Sequence, residues 1–211
     1  MNTRSYLRTL GLLILTVLVI GVVTGAYIVT TGVSARPDPG ALEARTARTI
    51  RTLAIRPRVR GVTNPVPATD AVIMEGMEHF ADHCAVCHGN DGSGNTEMGR
   101  GLYPRAPDMR LPATQDLSDA ELFYIIENGV RLTGMPGWST GTKDGETSSW
   151  HLVHFIRHLP KLTDEELAQM DDFNPRTPAE LKQREEERKF LQGGDAPPPV
   201  TPTHEHAGAH K

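Results

Sequence analysis

Residues 84–88 read Cys84-Ala85-Val86-Cys87-His88, and this stretch decides the fold. Its two cysteines are the only ones among the 211 residues. At positions i and i+3 they share one helical turn, so both thiols can add to the vinyl groups of one porphyrin. His88 then lies under the iron as an axial imidazole ligand. The stretch therefore predicts a c-type haem attachment site.

Other uses of a Cys-x-x-Cys pair fit the sequence less well. A thioredoxin-like redox pair needs an alternating strand and helix pattern, which is absent here. A structural zinc site needs two further cysteines or paired histidines nearby. A disulfide-stapled scaffold is excluded because the chain has only this pair. We therefore expect one covalently attached haem c, held by Cys84, Cys87 and His88.

A helix is predicted from Asp70 to Cys84, because Gly76, Phe80 and Cys84 fall on one face at i, i+4 and i+8. This stretch resembles the monohaem class I cytochromes c. In that family a glycine, followed four residues later by an aromatic residue, lets this helix cross the last helix closely. The resemblance covers about residues 68–161. It implies an all-α class I cytochrome c fold, with three main helices around one covalently bound haem.

The segment that contains Met135 and Pro136 resembles the family segment whose methionine sulfur is the second axial ligand. Met135 follows His88 by 47 residues, a separation similar to that in small bacterial members of the family. The resemblance thus implies that His88 and Met135 are the iron ligands, with Met109 and Met98 as competitors for the second position. The remaining methionines are expected elsewhere: Met74 and Met77 in the core of the first helix, and Met1 and Met170 outside the domain.

Residues 89–117 are rich in glycine and proline and show neither a helical nor a strand period. We expect this long loop to wrap the haem, since a large flat cofactor is a good reason for such a loop in a compact fold. In the family, a proline carbonyl in this segment accepts a hydrogen bond from the ring N–H of the haem histidine. Pro107 is the best match for that role, and Pro104 is the alternative.

Two more helices complete the predicted domain. One spans about residues 119–128, between a capping box at Ser118 and Glu121 and a C-cap at Gly129. The other runs over residues 150–159 and ends at Pro160. Its histidines share one stripe, which predicts either a metal site or an exposed polar face: His151, His154 and His158. The first helix carries His79 and His83, as alternative iron ligands or as solvated surface residues.

The N-terminal segment has no charged residue from Thr9 to Ala35. Residues 10–29 are apolar and long enough to cross a membrane core of about 30 Å. We therefore expect a single-pass transmembrane anchor over residues 1–35, with a cleaved secretory signal as the alternative. Both interpretations export the rest of the chain.

Three further segments flank or follow the predicted haem domain, which we place at residues 68–161. Residues 36–67 are predicted to be a basic periplasmic tether with a short helix from Ala41 to Ile55, either resting on lipid headgroups or solvated as a linker. Residues 162–192 are expected to form a charged helical extension that is solvated or docks a partner. Residues 193–211 are expected to be a disordered tail whose histidines could bind copper or zinc: His204, His206 and His210.

Charge is distributed unevenly along the chain. Residues 1–64 hold nine basic and two acidic residues, whereas residues 65–162 hold seven basic and 13 acidic ones, a net charge of -6. A basic segment beside an apolar one favours anionic lipid over nucleic acid, because no aromatic and basic surface pattern accompanies it. The acidic haem domain predicts a redox partner with a positively charged docking face.

The resemblance implies a membrane-tethered, one-electron carrier with His/Met ligation, which is not an enzyme. In the family, haem is attached on the outer side of the membrane. This places the haem domain on the periplasmic side of a bacterial cytoplasmic membrane, although most arginines follow the apolar span. The main alternative is a fixed cytochrome c subunit of a respiratory or dehydrogenase complex. Two more classes of protein compete with these: a haem enzyme or gas sensor, and a metal-delivery protein.

Overall fold

A computed structural model describes residues 3–32 and 34–193. These residues form helices joined by loops, with no β-strand in the described ranges. The fold is therefore all-α, as predicted. Of the predicted tail, residues 193–211, only residue 193 is described. The three histidines of the tail lie outside the described residues, so the prediction of a disordered, metal-binding tail stays a prediction.

The first two helices precede the predicted haem domain. Helix α1 (Thr3–Thr31) carries the apolar span, and it is the one helix in the described part of the chain that is long and apolar enough to cross a membrane. Helix α2 (Ala41–Ile55) has the bounds that the sequence predicts. Nine residues, 32–40, separate the two.

The haem-attachment stretch lies at the end of a segmented helix. Helix α3 (Asp70–His79) begins at Thr69, whose hydroxyl accepts from the Val72 N–H. The next turn, Phe80–Cys84, is a π-helical turn in which the Ala85 N–H donates to the Phe80 carbonyl. Helix α4 (Ala85–His88) follows. The prediction of one continuous α-helix is thus wrong for its last turns. The wider π-helical turn changes the helical periodicity just before the Cys-x-x-Cys-His motif.

The predicted structureless loop contains two short helices, α5 (Glu97–Gly101) and α6 (Pro112–Gln115). Helix α7 (Asp119–Asn128) has the predicted capping box of Ser118 and Glu121. Helix α8 (Lys143–His158) begins well before the predicted start, because Thr142 caps it by accepting from the Gly145 N–H. A 3₁₀ turn (Leu159–Lys161) ends it at the predicted proline.

The core lies where α3 and α8 cross, the most extensive contact between helices in the fold. A Cβ added to Gly76 would meet the His151 carbonyl group and would lie 2.9 Å from Phe155 Cβ. Only a residue without a side chain therefore allows this approach. Phe80 packs on Phe155 with ring centroids 5.1 Å apart, and both rings are almost fully buried.

Helix α9 (Asp164–Phe173) corrects the predicted domain organisation. Met170 is fully buried in the core cluster, so our expectation that it lies outside the domain is wrong. Asn174 follows α9, and its side-chain amide donates to the Ala81 carbonyl at 2.9 Å. The packed unit therefore extends beyond residue 161. Helix α10 (Pro178–Leu191) buries no residue, which agrees with a solvated extension.

The predicted tether is also docked. Ile55 at the end of α2 is buried, and Arg56 Nε lies 3.3 Å from the buried Glu121 carboxylate. The Tyr103 hydroxyl donates to Glu43 Oε1 at 2.7 Å. These contacts hold the two ends of α2 on the helical domain, while most of the helix is exposed. Whether the exposed side rests on lipid headgroups or is solvated stays a prediction.

The three histidines of α8 each bond a different segment. His151 Nδ1 lies 2.9 Å from Glu75 on α3, and His158 Nε2 lies 2.8 Å from Glu166 on α9. His154 Nε2 lies 2.8 Å from the Val66 carbonyl. No group of three or more His, Cys, Asp or Glu side chains in the described ranges could hold a metal ion. The stripe is thus neither a metal site nor an exposed face: it holds neighbouring segments onto α8.

Candidate haem site

The Cys-x-x-Cys-His turn places its side chains in two environments. Burial raises the pKa of the Cys84 thiol to about 12, and the nearby Cys87 adds to this shift. Burial also raises the pKa of Cys87, which is more accessible. Neither cysteine forms a disulfide. The two thiols are therefore available as neighbours on one turn, as thioether formation to a single porphyrin requires.

The His88 ring is buried, and one of its nitrogens lacks a hydrogen-bond partner among the described residues. Its side chain packs near Phe80, with ring centroids 6.4 Å apart, and its Nδ1 is buried with no partner in hydrogen-bond geometry within the described residues. Burial lowers the pKa of His88, and the Pro107 carbonyl, which faces the ring, opposes this by raising it. The lowered pKa favours the neutral imidazole, which is the form that ligates a metal.

Two backbone contacts hold the Pro107 segment beside His88. The Gly94 N–H donates to the His88 carbonyl at 2.7 Å, and the Met109 N–H donates to the Gly92 carbonyl at 2.8 Å. Gly94 has a φ of +71°, and a Cβ there would lie 2.8 Å from the Ala106 carbonyl carbon. Glycine is therefore needed at this position both for its backbone conformation and for the close approach of the Pro107 segment.

Thr96 is a site residue that the sequence analysis missed. Its hydroxyl contacts the carbonyl oxygens of Val86 and Cys87 at 2.9 and 3.1 Å and accepts from the Gly99 N–H at 2.8 Å. Thr96 thus caps α5 and satisfies carbonyls at the end of the haem-attachment turn, which have no partner within so short a helix. The N-cap pattern of Thr followed by Glu was the available signal, but it lay in a loop without periodicity.

Met135 lies on a loop whose backbone is fixed from both sides. The Met135 N–H donates to the Thr133 hydroxyl at 3.1 Å, and the Met135 carbonyl accepts from the Val130 N–H at the same distance. The Trp138 N–H then donates to the Ile126 carbonyl at the end of α7 at 2.9 Å. The methionine is therefore positioned by α7, while its side chain stays partly exposed.

The other methionines are placed differently. Met77 is buried in the protein core like Met170, and Met74 and Met98 are exposed. Met109 packs partly buried against the core cluster. Met109 is thus the one competitor on the wrapping loop whose side chain is not on the surface.

His79 and His83 lie in a surface hollow lined by acidic residues of α3 and by Asp172 and Phe173. Their rings contact each other edge to face at 4.9 Å, and His83 contacts Trp138 in the same way at 5.5 Å. His83 Nδ1 also lies 3.0 Å from Asp82. Burial lowers the pKa of His79, and the neighbouring His83 adds to this. Both histidines are therefore engaged at the surface with each other and with nearby side chains.

This arrangement defines a class of protein. An all-α domain with a glycine-mediated helix crossing, a buried haem-type histidine and a Cys-x-x-Cys turn is a cytochrome c domain. In this domain, Cys84, Cys87 and His88 imply a covalently bound haem c.

Comparison with known proteins indicates the same class of protein. Residues 71–156 match the family described as cytochrome c oxidase, cbb3-type, subunit III, which agrees with a cytochrome c domain over this segment. A protein named Cbb3-type cytochrome c oxidase subunit FixPc, from Rhizobium leguminosarum bv. viciae, is 30% identical over 114 residues. The alignment covers 52% of this chain and 35% of that relative, so the chain spans about a third of the relative's length.

Proposed function

We propose that this chain is a membrane-anchored electron-transfer protein that carries one electron on a haem c. Cys84 and Cys87 hold the haem covalently, and His88 and Met135 are its axial ligands. When bound, the haem supplies an iron that gains and loses one electron. The observation that carries the proposal is the buried His88 ring on the turn that bears both cysteines, with an Nδ1 that has no hydrogen-bond partner among the described residues.

Pro107 is assigned to orientation of His88. The Pro107 carbonyl raises the pKa of the His88 ring, and we assign it as the acceptor of the ring N–H. Such a bond fixes which nitrogen carries the proton and leaves the other free for the iron. Pro107 is therefore preferred to Pro104 for this role.

Met135 is assigned to the second axial position, because its backbone is fixed at both N–H and carbonyl. A thioether ligand favours a comparatively high reduction potential and leaves no open position on the iron. Oxygen or peroxide chemistry needs an open position, so this ligand set supports electron transfer and a non-catalytic role.

Membrane attachment is assigned to α1, whose 29 residues exceed the length needed to span a hydrocarbon core. We place residues beyond α1 on the periplasmic side of a bacterial cytoplasmic membrane. Covalent haem attachment in the class I cytochromes c takes place on that side, as the sequence resemblance implies.

The test uses the full-length chain, produced together with a cytochrome c maturation system and purified in detergent. We expect haem to stay with the polypeptide on a denaturing gel, a single one-electron step in a redox titration, and no spectral change when carbon monoxide is added to the reduced protein. A matched Cys87→Ser variant should lose most covalent haem. Rapid carbon monoxide binding by the parent protein would contradict the closed ligand set.

A fixed subunit of a cbb3-type oxidase is the second candidate, and the family match over residues 71–156 favours it over a free carrier. The relative's name also describes an oxidase subunit. A tagged chain isolated from its native membrane in mild detergent decides between them. Stoichiometric co-purification with other oxidase subunits would support the subunit, and isolation of the chain alone would support the carrier.

A further inference from the structure

Helix α2 has two different sides, one partly buried and one exposed with large apolar side chains. One face carries Ala44, Arg51, Thr52 and Ile55, which are half-buried or buried, and Arg56 directly after it pairs with Glu121 of the haem domain at 3.3 Å. The opposite face carries the large apolar side chains Leu42, Ile50 and Leu53, which are 79%, 61% and 69% exposed. With 3.6 residues per turn, these three side chains form one stripe along the helix.

Both carboxylates near α2 are engaged by the haem domain. The two acidic residues between 32 and 60 both bond to the haem domain: Asp38 pairs with Arg105 Nε at 3.1 Å, and Glu43 accepts from Tyr103 at 2.7 Å. The hydrogen bond to Glu43 raises the pKa of Tyr103 to about 12, so this phenol stays protonated as a donor. With both carboxylates engaged by the domain, the charged side chains of α2 and of the residues just after it that lack a carboxylate partner are arginines.

Several of these arginines make no contact with a carboxylate in the part of the chain that the structure describes. Arg48 and Arg58 donate to the Ala44 and Ala54 carbonyls of α2 itself. Arg45 and Arg60 are exposed and form no ion pair among the described residues. By helical position Arg45 lies beside the apolar stripe, and Arg48 lies further round, towards the domain side. An exposed apolar stripe on an arginine-rich helix without a free carboxylate is the pattern of a helix that lies in the plane of an anionic membrane surface.

The position of α2 in the chain supports a membrane as its partner. Residues 32–40 join it to α1, and nine residues span at most about 31 Å when fully extended. A second copy of the chain is a poorer partner for this stripe, because it would bring two arginine-rich helices together.

We propose that α2 is a two-sided adaptor, with its Leu42, Ile50 and Leu53 stripe lying in an anionic lipid surface while its other face holds the haem domain. The proposal rests on the membrane attachment assigned to α1, but not on the haem ligands. Its consequence is that the haem domain is held in one orientation above the bilayer instead of moving freely on a tether.

The test uses the full-length haem protein in oriented bilayers of phosphatidylcholine and phosphatidylglycerol. Electron paramagnetic resonance of oxidised haem is recorded as the sample is turned in the field, since any ferric haem gives an anisotropic signal. We expect a strong dependence on angle for the parent protein, and its loss in the Leu42→Asp, Ile50→Asp, Leu53→Asp triple variant. Bilayers of phosphatidylcholine alone should give poorer ordering.

The matched control places the same substitutions on α10, at Leu181, Phe190 and Leu191, which are exposed apolar residues outside α2. This control should keep the angular dependence. An unoriented parent signal, a triple variant as ordered as the parent, or equal order without anionic lipid would each overturn the proposal. Co-flotation with vesicles tests α1 separately, and failure of the haem-ligand assignment would change the spectrum without removing the ordering.

Discussion

At the scale of single residues, close packing around one glycine allows the fold to close. Gly76 brings the backbone of α3 against that of α8, and this contact positions the haem-attachment turn that follows α3. The resemblance to the class I cytochromes c implied this crossing, through the glycine and the aromatic residue four positions later. It did not predict the π-helical turn that follows, since no residue type marks such a turn.

Gly76→Ala is expected to lower the free energy of unfolding by about 2 kcal/mol, because the added methyl group collides with the backbone of α8 and forces the helices apart. Gly101→Ala is the matched control, since nothing lies within 4 Å of a Cβ at that position. Denaturant unfolding of the full-length protein in detergent measures both variants. Equal stabilities for the two would contradict this explanation of the crossing.

At the scale of elements, the segments outside the three main helices are more integrated than the sequence indicated. The charged composition of α9 predicted a solvated helix, because one buried methionine and one phenylalanine at its end give little apolar periodicity. The start of α8 was missed for a similar reason, since Gly145 and the following Thr and Ser residues dilute its pattern. The burial of α9 and the start of α8 both depend on tertiary contacts that the sequence pattern does not show.

Met170→Ala is expected to cost about 3 kcal/mol of unfolding free energy, because it leaves a cavity in a fully buried part of the core. Leu181→Ala on α10 removes an exposed apolar side chain and should change stability by less than about 0.5 kcal/mol. Thermal unfolding followed by circular dichroism compares the two variants. A neutral Met170→Ala variant would show that α9 is not part of the packed unit.

The contact between α2 and α7 should depend on pH. Burial raises the pKa of Glu121, but hydrogen bonds from Ser118 and the Arg56 guanidinium outweigh it and hold the pKa below its usual value of 4.5. A lowered folded-state pKa means that the ionised carboxylate stabilises the fold above about pH 4.5. That stabilisation disappears as the pH falls through the folded-state pKa.

Glu121→Gln is therefore expected to cost about 1 kcal/mol near neutral pH, since the exposed Arg56 limits the strength of the pair. The difference from the parent protein should shrink as the pH is lowered below the carboxylate range. Glu187→Gln on α10, an exposed residue without an ion pair among the described residues, is the control. A cost that stays constant from neutral to acidic pH would contradict the ionic origin.

At the scale of the whole molecule, charge and hydropathy are segregated along the chain. The apolar helix, the arginine-rich segment and the acidic domain were all visible in the sequence, because composition alone distinguishes them. The docking of the end of α2 on the domain was not, since Arg56 looks like a solvated residue until its carboxylate partner is known. The partner, Glu121, is 65 residues away from Arg56 in the chain.

The net charge of -6 over residues 65–162 predicts how small redox reagents react. A cationic oxidant such as tris(1,10-phenanthroline)cobalt(III) should react faster with the reduced protein at low salt than at high salt, and anionic hexacyanoferrate(III) should show the opposite dependence. Stopped-flow rates at several ionic strengths measure both. Rates that do not change with salt for either reagent would argue against an acidic surface near the haem.

The proposed function depends on His88 and Met135 ligating one haem iron, and the weak far-red absorption band of sulfur-ligated ferric haem is the measurement that decides it. We predict that the oxidised full-length protein shows this band, that Met135→Ala abolishes it, and that the matched Met109→Ala variant keeps it. Survival of the band in Met135→Ala, or its loss in Met109→Ala alone, would contradict the assignment.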